Sequence, residues 1–197
     1  MSKEIITSNT GMPNPWKALW ATAAIMFSAG LHPVAANAQA DAPTDPQIVG
    51  IVSAANQIDI NYAKLALSKT KDKQVKDFAQ QMITDHSSVQ KAVGDLAAKL
   101  HVTSVDSGSS NSLKTQAQQT MQKLQGLKGK AFDKAYVDNE VAYHQAVINA
   151  TKTVLIPEAQ NAELRSALQG AVPLFEGHLQ HAQRVQSALD GGGKSGY

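Results

Sequence analysis

The sequence predicts an all-α fold: an antiparallel four-helix bundle with a short extra helix in its long crossover. Apolar residues recur at steps of three, four or seven through four long segments, which is one face of a helix repeated four times. The polar turn Lys69–Lys73 is too short to let the segments on either side run other than antiparallel. Between the second and third long segments, residues 102–111 turn to Ser, Gly, Asp and Asn, the composition of a loop.

In order, the chain opens with what reads as an export leader over residues 1–40. Lys3 and Lys17 precede an apolar run of 14 residues from Ala18 to Leu31, Pro33 breaks it, and Ala38-Gln39-Ala40 is a small-x-small cleavage pattern. The run is short of the roughly 20 residues a spanning helix needs. Cleavage after Ala40 leaves 157 residues, enough for one domain with a real core. Both tryptophans, Trp16 and Trp20, belong to the leader, so the mature chain is expected to contain none.

The domain is expected over residues 41–190. Asp45-Pro46 reads as an N-cap followed by proline at the first helical position, and Ile48, Val52, Ala55, Asp59, Tyr62 and Ala66 form the first stripe. Asp72 caps the second helix, whose row Val75, Phe78, Met82, Val89 and Leu96 skips to Asp85, with His86 beside it. Leu113, Ala117, Thr120, Leu124 and Leu127 give the short crossover helix, ended by Gly126 and Gly129. A third long helix carries Val137, Val141, His144, Ile148 and Leu155, flanked by Phe132, Tyr136 and Tyr143, and Pro157 is expected to stop it. Asn161 caps the last, with Leu164, Leu168, Ala171, Phe175, His178, Ala182, Val185 and Leu189 on one stripe and a kink or restart expected at Pro173. Residues 191–197 read as a disordered glycine-rich tail.

Each long stripe thus holds a polar intruder: Asp59, Asp85 with His86, His144, and His178. Counted from the turns, Asp59 and His86 differ in depth by only about 6 Å at 1.5 Å per residue, and all fall in the middle third of their helices. A shared polar layer follows. Imidazoles and carboxylates converging inside a bundle suit a transition metal (Fe, Zn, Mn or Cu), with Asp59, Asp85, His86, His144 and His178 as ligands. The alternative is a hydrogen-bonded layer that fixes which helices pair. Glu140, four before His144, reads as a surface or local contact, and His101, at its helix end, as a favourable partner of the dipole.

Losing Lys3, Lys17 and Glu4 with the leader lowers the formal charge from +2 to +1, and a near-neutral body offers no basic patch for nucleic acid. With no cysteine, disulfides, iron–sulfur clusters and thiolate zinc sites are excluded. No phosphate loop, dinucleotide fingerprint or nucleophile elbow occurs, which argues against an enzyme of those classes.

Phe78-Ala79-x-x-Met82-x-x-Asp85-His86, Phe132-Asp133-x-x-Tyr136 leading to His144, and Pro173 followed by His178-Leu179-x-x-Ala182 resemble the exported ferritin-like family of unknown function, whose members are labelled outer-membrane or exported proteins of bacteria. The resemblance spans about Asp45 to Leu189. It implies a ferritin-like four-helix bundle in the periplasm or cell envelope without an assigned activity. The Glu-x-x-His of di-iron carboxylate bundles is absent, so a mononuclear, histidine-rich site suits this inventory better than a ferroxidase.

The expected function is therefore a structural or stress-related binding role in the envelope, without chemistry, and with another envelope protein or a second copy as partner. The alternatives are binding or oxidation of a transition metal at the five residues, and acid sensing through buried histidines. No membrane span is expected after cleavage.

Overall fold

The computed structural model describes residues 42–191; the expected leader and the tail beyond Gly191 lie outside the described residues. Five long helices make up the described chain: α1 (Asp45–Lys69), α2 (Lys73–Lys99), α3 (Gly108–Gly126), α4 (Gly129–Ala150) and α5 (Ala162–Gly191). There is no strand among these residues. α1 packs on α2 and α4 on α5 as two hairpins, which meet along α1/α4 and α2/α5, while α3 lies mainly on α1 and also touches α4.

The helix starts follow their caps. Asp72 accepts from the backbone N–H groups of Gln74 (2.8 Å) and Val75 (3.1 Å), and Asn161 from those of Glu163 (2.8 Å) and Leu164 (3.1 Å). At α1 the cap is Thr44, one residue earlier than expected, with the Gln47 side chain accepting from its N–H at 2.9 Å. Asp45 instead acts at long range. Its carboxylate takes the N–H groups of Gln160 (2.8 Å) and Asn161 (2.9 Å), tying the start of α1 to the approach of α5. At the other end of α1, Lys69 donates to the carbonyls of Leu124 (3.3 Å) and Gln125 (2.5 Å), the unsatisfied end of α3.

α2 ends in a Schellman motif. Val102 N–H returns to Ala97 O (2.9 Å), His101 N–H to Ala98 O (3.1 Å), and His101 itself is left-handed with φ 53°. His101 is exposed there, remote from the polar layer in sequence and role. The crossover is more helical than its composition suggests: Ser107 caps α3, accepting from Ser110 N–H at 3.1 Å, so the serine-rich stretch opens a helix.

Neither proline ends its helix, so the stop expected at Pro157 and the restart expected at Pro173 do not occur. α4 runs on through a π-helical segment, Thr151–Leu155, and a last turn, Ile156–Glu158, so Pro157 lies inside it. The widened turn, in which Ile156 N–H reaches Thr151 O, makes room where a proline ring would crowd the carbonyl four residues back. α5 passes Pro173 without a break and continues through Gly191, which the sequence reading assigns to the tail.

The core contains Ile48, Tyr62 and Ala66 of α1, Val75, Phe78 and Met82 of α2, Phe132, Tyr136 and Val137 of α4, and Leu168, Phe175 and Val185 of α5. On α2 the stripe drifts: His86, not Asp85, is buried, and Ala97 replaces Leu96. A heptad row slips about 20° per repeat against a 3.6-residue helix, enough to carry the facing position along by one. The same slip makes Val172 rather than Ala171 the buried residue on α5.

Candidate metal centre

Five side chains meet in the middle of the bundle: Asp59 from α1, His86 from α2, Glu140 and His144 from α4, and His178 from α5. All are buried, Asp59 and Glu140 completely, at 0% exposure. The ring centroids of His86, His144 and His178 form a near-equilateral triangle with sides of 5.6, 5.4 and 5.1 Å. Phe175 lies flat against His86 at 5.7 Å and holds the ring in plane.

Hydrogen bonding decides which nitrogen of each ring carries the proton. Asn56 Nδ2 donates to Val52 O (2.9 Å), so its Oδ1 is free only to accept, and His86 Nδ1 donates to it at 2.8 Å. His144 Nδ1 donates to the carbonyl of Glu140 at 3.0 Å. His178 Nε2 donates to Asp85 Oδ2 at 2.9 Å. Each imidazole therefore commits its one N–H to an outward partner. His86 Nε2, His144 Nε2 and His178 Nδ1 are left as bare lone pairs with no protein donor. These three residues can bring one nitrogen each within 4.8 Å of the others. An outer partner that fixes ring and tautomer is how metal-binding histidines are held.

Asp59 faces these lone pairs. Its Oδ2 is 3.3 Å from His86 Nε2 and 3.5 Å from His144 Nε2, and neither of its oxygens accepts a hydrogen bond from the protein. Two ligands at about 2.0–2.1 Å from a tetrahedral ion sit about 3.3 Å apart, close to what is observed. Glu140 lies behind, with Oε2 at 3.6 Å from His144 Nδ1, and Asp59, Glu140 and His144 form a second convergent group.

Burial sets the charge state. It drives the Asp59 carboxyl up from 3.8 to about 8. Glu140 is raised well above its usual range by burial first and the Asp59 charge second, and the Asn139 amide opposes this without a hydrogen bond of proper geometry. The imidazoles go the other way: burial, then the neighbouring histidines, lower His86 to about 2, and burial with His178 lowers His144 to about 3. His178 is lowered by burial against the opposing pull of Asp85. The rings are neutral throughout the physiological range, the form in which imidazole binds metals.

Of the five residues expected from the sequence, four (Asp59, His86, His144 and His178) thus share one centre. Asp85 does not reach it: its side chain is 28% exposed and it grips His178 from outside. Two participants escape the sequence reading. Glu140 is buried rather than a surface contact, and a signal exists for it, since it fills the gap in the Phe132, Tyr136, Tyr143 stripe as Asp85 does on α2. Asn56 lies three residues before Asp59, on the same face of α1.

The chain belongs to the family described as "Domain of unknown function (DUF4142)", which matches residues 31–185. No curated protein matches it. Among solved structures it is similar to a DUF305 protein from Streptomyces coelicolor, presented as a candidate secreted protein, at 13% identity and a TM-score of 0.62 over 73% of this chain and 92% of that one. At that identity the likeness concerns the fold alone. Among the described residues no helix is long and apolar enough to cross a membrane.

Proposed function

We propose that this protein is an exported, ferritin-like bundle of the bacterial cell envelope that binds one divalent transition-metal ion through His86, His144, His178 and Asp59. Asn56, the Glu140 carbonyl and Asp85 orient the three rings. A single observation carries the reading: one carboxylate oxygen, Asp59 Oδ2, faces two bare imidazole lone pairs at 3.3 and 3.5 Å. A carboxyl proton can lie toward only one of them. An ion satisfies both.

The role is binding rather than turnover. A protein-supplied set of four leaves no coordination position for a substrate, as in structural zinc sites, and every one of these side chains is closed off from solvent. Three nitrogens and one oxygen suit Zn2+ first, with iron, manganese and copper to be compared. The leader-like residues 1–40, with the domain following from 41 to 190, support export, as does the secretion suggested for the structural neighbour.

The test is elemental analysis of mature protein purified from the envelope without chelator or His-tag, followed by Co2+ spectroscopy. About one ion per chain is expected. Alanine at 59, 86, 144 or 178 is expected to abolish binding, and His101→Ala to leave it intact. A chain that takes up none of zinc, iron, manganese or copper, or variants that all bind as the parent does, would leave only a buried polar layer.

A further inference from the structure

A centre closed on all sides needs a way in, and the seams between the two hairpins differ. The α1/α4 seam is crossed by α3, which packs on both helices and takes the Tyr62 hydroxyl on its Ala117 carbonyl at 3.4 Å. Over the α2/α5 seam no other helix packs extensively among the described residues. That seam is polar where it passes the centre. His181 bonds through Nδ1 to Gln81 Oε1 (2.8 Å), Gln81 Nε2 donates to Asp85 Oδ2 (3.2 Å), and His178 Nε2 donates to the same oxygen (2.9 Å).

The direction of this chain of hydrogen bonds is fixed. Asp85 is the acceptor, so the Gln81 amide presents Nε2 to it and Oε1 to His181. His181 Nδ1 therefore carries the proton and its Nε2 bears the lone pair. Phe78 holds the ring edge-on at 5.2 Å. Gln81, Asp85 and His181 are all partly exposed, whereas the centre behind them is not. A carboxylate, Asp85, thus stands partly exposed one hydrogen bond from a centre residue, and a metal-competent imidazole, His181, stands beyond it through Gln81.

We propose that Gln81, Asp85 and His181 form a loading port for a divalent transition-metal ion, which meets His181 first, then Asp85, and passes inward beside His178. This rests on the metal-binding function proposed for the centre. His178 keeps its Nε2 proton throughout: its ring swings away from Asp85 to admit the ion, receives it on Nδ1, and returns.

Port residues lower the barrier in both directions and leave the end states alone. In stopped-flow Co2+ loading and chelator-chase release on the mature protein, His181→Phe and Gln81→Leu are expected to slow association and dissociation alike, by about tenfold, with Kd within about twofold of wild type. Asp85→Asn is expected to slow loading and also to weaken binding, because it loosens His178. Gln116→Leu, on α3 over the other seam, serves as the control and is expected to load at the wild-type rate. Unchanged rates in both the His181 and Gln81 variants would overturn the port, as would a change confined to dissociation or an equal slowing in the Gln116 variant. If wild-type protein takes up no ion at equilibrium, the metal-binding reading falls and the port with it. If it takes up the ion while the variants load normally, the port alone falls.

Discussion

The sharpest consequence of the centre is that replacing Asp59, one of the proposed ligands, by its amide should stabilise the metal-free protein. Asp59 is fully buried without a hydrogen bond, and its carboxyl is raised to about 8. The unfolded chain releases that proton near 3.8, while the folded chain keeps it until about 8. Between those values the folded state binds the extra proton, so its stability falls as pH rises. Asp59's contribution is at its most favourable below the lower value and fully lost above the upper. At 1.36 kcal/mol for each tenfold change in proton affinity, the loss reaches about 4 kcal/mol by pH 7 and about 5 by pH 8. Asn has no proton to lose, and its Nδ2 can donate to the lone pairs of His86 and His144, but its Oδ1 stays unsatisfied, at about 1–3 kcal/mol. Asp59→Asn should therefore be more stable than wild type by about 2–4 kcal/mol at pH 8 in the presence of chelator, and the gain should vanish toward pH 5. Urea unfolding across pH 5–8.5, followed by far-UV circular dichroism, measures this directly. A chelated wild type of constant stability from pH 6.5 to 8.5, or a variant less stable at pH 8, would refute the electrostatic account.

Metal binding by the wild type should displace the Asp59 proton below pH 8, so affinity should rise with pH by up to about tenfold per pH unit between 6 and 8. Calorimetry in two buffers of different ionisation enthalpy would count the protons released; none released would contradict a protonated Asp59. Away from the centre, a Cβ on Gly50 would lie 2.2 Å from the Val105 carbonyl oxygen, a backbone contact that cannot give by rotamer change. Gly50→Ala should cost about 1–3 kcal/mol as a core overpacking, read as a lowered Tm, and a neutral result would mean that the 102–107 loop yields freely.

Helix identity and much of the centre are legible in the sequence because they depend on period and on local chemistry. Asp72 and Asn161 each cap their own helix, so their roles can be read within four residues of sequence. Asp45 cannot be read that way, since its carboxylate serves backbone groups 115 and 116 residues away. The exchange of Asp85 for His86 on the buried face arises from drift accumulated along α2, which a row of exact heptads conceals. Glu140 reads as a surface residue because an i,i+4 Glu–His pair on an isolated helix usually faces solvent. The stripe Phe132, Tyr136, Tyr143, whose gap Glu140 fills, carries the better signal for its burial. The drawing-out of α4 past Pro157 likewise depends on a π turn that no residue pattern announces.

The donor balance at the centre supports the proposed ion site over a self-contained polar layer. A layer that stabilised itself would match each buried acceptor with a donor. Here seven buried atoms of Asp59, Glu140, His86, His144 and His178 find no donor in the protein. Tyr136, buried beside them and held well above its usual range by burial and by Glu140 and Asp59, hydrogen-bonds none of them. Protonating both carboxyls supplies two donors and still leaves lone pairs unmatched. The three N–H groups that could have closed the balance are all turned outward, to Asn56, to the Glu140 carbonyl and to Asp85. Moving the His86 proton to Nε2 would supply Asp59 with a donor but leave the Asn56 oxygen without one. The outer partners thus keep the ring lone pairs turned inward, the arrangement that suits a cation, and this is what supports the proposed ion.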